Sequence, residues 1–115
     1  MNEQQNNSVE AVEKTVPITE YAEKFGEVTT NVLFGDIWKR PDLSPRDRSL
    51  ITVAALVATY RQNELPFHFK RAIDNGLTEA EVIEAITHLA FYTGWPCAAT
   101  ALTIAQKVYT APNKE

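Results

Sequence analysis

The segment from Leu50 to Ala58 is apolar except for Thr52. Just before it, Ser44 and Pro45 place a capping hydroxyl ahead of a proline at the first helical position. These signals predict a helix that begins at residue 45 and is buried on most of its sides, because apolar residues surround its axis. The run is too short to cross a bilayer, so a membrane-spanning helix is not expected here.

Three more helices are predicted after the apolar one. Gly76 is expected to end the first of them, and Thr78 and Glu81 have the spacing of a capping box that opens the second. Trp95 and Pro96 open the last helix, which is rich in alanine. The expected ranges are about 63–75, 78–94 and 95–109.

Two shorter helices are predicted before the apolar one. An apolar stripe runs from Ile18 to Phe25, and we expect Gly26 to end or interrupt that helix. A second apolar patch, residues 32–38, indicates another short helix. Residues 1 to 16 carry few apolar side chains and are predicted to form a mobile arm, so the predicted domains are an arm over 1–16 and one helical domain over 17–115.

The whole pattern predicts an all-α fold of five or six helices. Strands are not expected, because no segment alternates apolar and polar residues between turn signals. A chain of 115 residues covers the helix at 50–57 poorly by itself, and the small side chains of Ala98, Ala99, Ala101 and Ala105 permit close helix approach. We therefore expect a homo-oligomer, and a tightly packed monomer is the alternative.

Charge and cysteine content exclude several classes of protein. The chain has 11 Lys and Arg against 15 Asp and Glu, hence a net charge of −4, which gives no basic surface for nucleic acid or for an anionic membrane. Its one cysteine, Cys97, is interpreted as a small packing residue, and no metal site is predicted. The polar start of the chain does not resemble a secretory signal, so a cytoplasmic protein is expected.

Glu64, His68 and Arg71 are spaced to share one ridge of the helix at 63–75. A carboxylate one turn away favours the imidazolium form, which would suit His68 to proton donation. The alternatives are a surface ion pair or a buried histidine with satisfied hydrogen bonds.

His88 lies on a similar ridge of the next helix, four residues after Glu84 and four before Tyr92. These side chains could donate hydrogen bonds to a ligand. The alternative for Tyr92 is a core aromatic residue with its polar end at the rim.

Arg46 and Arg48 occupy the first turn of the apolar helix, where their charge opposes the helix dipole. Stability is therefore a poor reason for two arginines there. A forked grip on a carboxylate is a better one, although ion pairs with Asp47 or Asp42 would also explain them.

Several stretches of the chain resemble the carboxymuconolactone decarboxylase family, in order and over about residues 20 to 110. They are residues 34–41 (FGDIWKRP), 43–56 (LSPRDRSLITVAAL), 64–68 (ELPFH), 75–78 (NGLT) and 88–96 (HLAFYTGWP). The resemblance implies an all-α protein that assembles as trimers or hexamers. It also implies decarboxylation of 4-carboxymuconolactone, or of a related small lactone or carboxylic acid, without a cofactor, as in the degradation of aromatic compounds.

A related branch, similar to alkylhydroperoxidase D, uses a Cys-x-x-Cys-x-x-x-His motif to reduce peroxides. Aligning that histidine with His68 puts Arg61 and Glu64 where the two cysteines would stand, and Ser49 at the activating glutamate. The fold of that branch is expected here, and its disulfide-cycling chemistry is not.

The resemblance, combined with these ridges, implies a set of roles. Two alternatives to the decarboxylase function stay open: another small-molecule or redox activity that does not use the Cys-x-x-Cys motif, and a non-catalytic oligomeric binding protein. The expected proton donor is His68, oriented by Glu64; Arg48, or less favourably Arg46, binds a carboxylate; and His88 and Tyr92 donate to the lactone oxygen.

Overall fold

The computed structural model describes residues 16–112, and all regular structure in that range is helical. This confirms the all-α prediction. The predicted arm, apart from its last residue, lies outside the described residues. The α-helices are α1 (Ile18–Tyr21), α2 (Glu23–Val28), α3 (Pro45–Ala58), α4 (Leu65–Asp74), α5 (Glu79–Thr93) and α6 (Trp95–Thr110).

The chain divides into two compact units, one up to Arg40 and one from Pro41 onward. In the first unit, α1 and α2 are followed by a π-helical turn over Thr29–Phe34 and a 3₁₀ turn over Ile37–Lys39. The short helix predicted over 32–38 is thus divided between these two turns. No helix within residues 16–112 is long and apolar enough to cross a membrane.

The predicted helix end at Gly26 is wrong. The helix breaks instead at Ala22, which has extended backbone angles, and α2 continues through Gly26 to Val28. Gly26 is buried, and a Cβ atom at this position would overlap the backbone carbonyl of Thr19. The glycine therefore permits a close approach of two chain segments inside the unit and does not stop the helix.

The second unit begins with α3, whose start matches the prediction. The backbone N–H of Asp47 donates to the Ser44 hydroxyl at 3.0 Å, and Pro45 is the first helical residue. Less of the surface of α3 is buried than predicted. Its fully buried residues are Ser49, Val53 and Val57, on one stripe, whereas the side chain of Ile51 is 56% exposed. The expectation of burial on most sides is therefore wrong within one chain.

The ends of the later helices follow their sequence signals. After α4, Gly76 adopts a φ of 110°, the left-handed region that favours glycine, and α5 opens with both hydrogen bonds of the Thr78–Glu81 capping box. A 3₁₀ turn over Gln62–Glu64 precedes α4. Gly94, with a φ of 105°, separates α5 from α6.

The core of the second unit is formed by one buried face from each of α3, α4, α5 and α6. The Tyr109 hydroxyl also donates to the Phe69 carbonyl at 2.7 Å and so links α6 to α4. Ala98, Ala101 and Ala105 are buried here, so three of the four alanines expected to permit close helix approach pack α6 against its own chain. Cys97 packs partly buried against this core, as interpreted. The core residues are Val53, Val57, Leu65, Phe69, Ala72, Leu77, Val82, Ile86, Ala90, Ala98, Ala101 and Ala105.

Candidate functional site

The predicted ridge on α4 forms at the border between core and solvent. Leu65, Phe69 and Ala72 are the buried residues of α4. His68 and Arg71 stand beside that buried stripe and are half-buried, while Glu64 lies exposed in the 3₁₀ turn that leads into the helix. The helix thus presents a carboxylate, an imidazole and a guanidinium on successive turns.

The ring of Phe67 connects two members of this ridge. The His68 ring meets it edge-on, with the centroids 4.9 Å apart and the planes at 89°. The guanidinium carbon of Arg71 lies over the same ring, 6.0 Å from its centroid. Phe67 itself is 56% exposed, so both polar groups are placed at the edge of an apolar surface that a ligand can reach.

Electrostatics at His68 differ from the sequence-based expectation. Burial lowers the pKa of His68 below its usual value of 6.5, and the positive charge of Arg71 lowers it further. Glu64 raises the pKa as expected, but its effect is the smallest of the three. Glu64 thus favours the charged form as expected, but burial and Arg71 outweigh it, so the net shift favours the neutral imidazole.

Arg46 forms ion pairs. Its guanidinium donates to Asp47 at 3.0 Å and to Glu81 at 2.8 Å, so it links the start of α3 to the start of α5. The pairs raise the pKa of Arg46, while the Thr78 backbone and Arg46 lower that of Glu81. This geometry favours the ion-pair interpretation of Arg46 that the sequence left open.

Arg48 lies next to a polar link between α3 and α4. The Asn75 side-chain amide donates to the Ser49 hydroxyl at 2.9 Å, and Ser49 is fully buried. Asn75 follows His68 by seven residues, so this link lies two helical turns along α4 from the imidazole. Arg48 is half-buried, with its Nε atom inside the protein. It lies on α3, the helix that packs against α4.

The second predicted ridge, on α5, is exposed. The rings of His88 and Tyr92 lie 5.0 Å apart at 31°, and the Tyr92 side chain is 76% exposed. Phe91 and Trp95, also exposed, meet edge-on beside them. The interpretation of Tyr92 as a core residue is therefore wrong for the single chain.

Among the described residues, a larger and a smaller cleft lie between α5 and α6, and neither is lined by a predicted site residue. The larger, about 370 Å³, includes Glu79, Ile83 and Tyr109. Burial and the charge of Glu79 raise the pKa of Tyr109 to about 12. The smaller cleft, about 160 Å³, includes Trp95 and Ala98. Within residues 16–112, no group of three or more His, Cys, Asp or Glu side chains is arranged to hold a metal ion.

Arg71 and Phe67 are the site residues to which sequence reasoning gave no role. Arg71 had been placed on the ridge by its spacing, and its three-residue offset from His68 was the available signal. The position of Phe67 under both polar groups could not be foreseen, because adjacent residues of a helix do not ordinarily face each other.

Comparison with known proteins agrees with the resemblance in the sequence. The sequence profile of the carboxymuconolactone decarboxylase family matches residues 23–107. A 4-carboxymuconolactone decarboxylase from Acinetobacter baylyi is 33% identical over 101 residues, which cover 84% of this chain and 75% of that protein. A nitrosuccinic acid decarboxylase from Metarhizium robertsii is 38% identical over 81 residues, covering 70% of this chain and 57% of that protein.

Proposed function

Because the chain belongs to the carboxymuconolactone decarboxylase family, we propose that it decarboxylates a small dicarboxylic acid, with 4-carboxymuconolactone as the first candidate. The observation that carries the proposal is the ridge on α4, where a half-buried imidazole lies between a carboxylate and a guanidinium. That arrangement offers a titratable proton carrier beside a cation, which is what the removal of carbon dioxide from an anion requires.

The names of the two relatives point to one kind of chemistry. Both 4-carboxymuconolactone and nitrosuccinic acid carry two carboxyl groups together with a group that accepts electrons, an unsaturated lactone carbonyl in one and a nitro group in the other. When carbon dioxide leaves, the electron pair of the broken bond moves into that group. Such a substrate supplies its own electron sink, so we propose that the reaction needs no cofactor.

The protein then has three tasks. It must orient the carboxylates, stabilise the developing negative charge and return one proton to carbon. In our proposal His68 supplies the proton as an imidazolium and becomes neutral, and the exposed carboxylate of Glu64 orients its ring. Reprotonation of His68 from water completes the cycle, since decarboxylation of a carboxylate consumes one proton.

Other predicted residues take supporting roles in this proposal. Arg48 binds a carboxylate from α3, and Arg46 is the weaker candidate because Asp47 and Glu81 already engage its guanidinium. His88 and Tyr92 are the proposed donors to the lactone oxygen. Their exposure in one chain means that they would serve a substrate only where another surface excludes water.

A homo-oligomer, as trimer or hexamer, would supply that surface, and we propose it as the working assembly. The exposed apolar side chains of Ile51, Phe91, Tyr92 and Trp95 favour it, because apolar surface on this scale is commonly covered by a partner. A cytoplasmic location remains our expectation.

The test is to follow 4-carboxymuconolactone by its ultraviolet absorbance and to measure the carbon dioxide released, with wild type and His68→Gln side by side. The proposal predicts turnover by wild type and a loss of about a hundredfold or more in the variant, as expected for a missing general acid. If wild type consumes neither this lactone nor nitrosuccinic acid, the proposed substrate class is wrong.

A further inference from the structure

Arg71 takes no part in the reaction as described so far, although it is the cation of the α4 ridge that shares an aromatic ring with His68. We propose that Arg71 binds the second carboxylate of the substrate and so makes the site selective for dicarboxylic acids. This inference rests on the proposed function for the identity of the reacting acid.

The spacing along α4 suits this role. Arg71 follows His68 by three residues, which is about 4.5 Å along the helix axis. Both side chains contact the Phe67 ring, one edge-on and one across its face. A small acid lying against Phe67 can therefore meet the guanidinium at one end and the imidazole at the other.

Partial burial strengthens the argument. The Nε atom of Arg71 is buried, so part of the guanidinium is already withdrawn from water before any ligand binds. A desolvated, oriented guanidinium attracts a carboxylate more strongly than a fully hydrated one, and its planar fork can form two parallel hydrogen bonds. The positive charge of Arg71 already acts on His68, because it lowers the pKa of that side chain.

Charge balance also favours a second cation. Two carboxylates require more than one positive group, and the α4 ridge supplies Arg71 beside His68 on the shared Phe67 ring. Arg48 on α3 is proposed to take one carboxylate. Arg71, on the helix that packs against α3, is then the cation placed to take the other at the His68 end.

The first test compares the binding of succinate and butyrate, a four-carbon dicarboxylate and its monocarboxylate counterpart, by calorimetry. Wild type should bind succinate more tightly than butyrate. The Arg71→Gln variant should lose about tenfold or more in affinity for succinate, as expected when a charge-assisted pair is removed, and should change little for butyrate. Lys70→Gln, which removes an exposed charge one residue away on the same helix, is the matched control and should behave as wild type.

The second test uses 4-carboxymuconolactone turnover. A residue that binds a carboxylate equally in the ground and transition states changes KM more than kcat, whereas loss of the proton donor changes kcat. Arg71→Gln should therefore raise KM by about tenfold or more, and Arg71→Lys, which keeps the charge without the fork, should fall between it and wild type. Circular dichroism and thermal melting establish that each variant is folded.

The outcomes separate the two proposals. If wild type turns over neither the lactone nor nitrosuccinic acid but prefers succinate through Arg71, the inference holds and the proposed reaction is wrong. If wild type turns it over and Arg71→Gln keeps both its KM and its affinity for succinate, the reaction holds and the role of Arg71 is overturned. Equal affinity of wild type for succinate and butyrate also overturns it.

Discussion

The two histidines of this chain have nearly the same sequence setting and different structural ones. Each follows a glutamate by four residues: Glu64, in the turn that leads into α4, precedes His68, and Glu84 precedes His88 on α5. In the structure, His68 is half-buried and lies against Phe67. His88 is exposed beside Tyr92.

Burial, and not the neighbouring carboxylate, makes the two ridges different. At His68 burial is the largest influence on the pKa, followed by Arg71, and Glu64 only partly offsets them. A spacing of four residues is thus a weak indicator of function, and the same spacing becomes informative once one side chain borders the core. If that distinction governs activity, substitutions on the two ridges should differ in their effects.

The largest expected effect is the loss of the proton donor. His68→Gln should reduce kcat by about a hundredfold or more, whereas His88→Gln should cost less than about tenfold, because one hydrogen bond to the lactone oxygen contributes less than the proton donor. Steady-state kinetics with 4-carboxymuconolactone measure both variants. Equal losses in the two variants would remove the distinction between the ridges.

The next effect is the dependence of activity on pH. The proton donor must be charged and its pKa lies below 6.5, so kcat/KM should decline as pH rises above that pKa, by about tenfold for each pH unit. Two charged groups act on His68: Arg71, which lowers its pKa, and Glu64, which partly offsets that effect.

Removing the positive charge of Arg71 should raise that pKa, so the decline in Arg71→Gln should begin at higher pH. In His88→Gln, kcat/KM should decline over the same pH range as in wild type. A decline that is unaffected by Arg71→Gln would show that another group controls the pH dependence.

A smaller effect concerns how firmly α4 is held. Tyr109→Phe removes the hydrogen bond to the Phe69 carbonyl, one residue from His68, and should lower the free energy of unfolding by about 1 kcal/mol. Tyr92→Phe, on the exposed ridge, should change it by less than about 0.5 kcal/mol. Urea unfolding of the two variants makes the comparison.

The same tyrosine should affect stability at alkaline pH. The pKa of Tyr109 rises from 10.0 to about 12 on folding. Its contribution to the free energy of unfolding is therefore fully present below pH 10 and is lost as pH rises towards 12. Tyr109→Phe should not show this part of the loss. An identical alkaline profile in wild type and variant would contradict the role assigned to the hydroxyl.

The smallest effect is on stability in acid. Folding lowers the pKa of His68. The contribution of the neutral imidazole to the free energy of unfolding is therefore present above pH 6.5 and is lost as pH falls through the pKa of the folded protein. His68→Gln should therefore lose less of its melting temperature than wild type between pH 7 and pH 5. The difference should be modest, since the imidazole is about half exposed. A larger loss of melting temperature in the variant than in wild type would mean that folding raises the pKa of His68 instead of lowering it.

Local signals in the sequence predicted much of the second unit. The cap at Ser44, the capping box at Thr78 and Glu81 and the turn at Gly76 depend on residues close together in the chain, and all three form as expected. The all-α class followed from the same helix signals and from the missing strand pattern. These are features that neighbouring residues determine alone.

Predictions that depended on distant contacts were less successful. Gly26 was expected to stop a helix, but its role is set by the carbonyl of Thr19 passing close to it. The exposure of Ile51 and the burial of Ala101 depend on which helices pack together, which periodicity does not reveal. The lowered pKa of His68 has the same origin, because spacing indicates a nearby carboxylate but not the extent of burial.

The measurement that compares the two ridges most directly is an NMR titration of the histidine Cε1–H signals with and without succinate. We expect the pKa of His68 to start below 6.5 and to rise when succinate binds, since an anion beside Arg71 offsets its charge and favours the imidazolium. The His88 signal should respond less. A succinate-dependent change confined to His88, or a His68 titration that is unaffected by succinate, would contradict it.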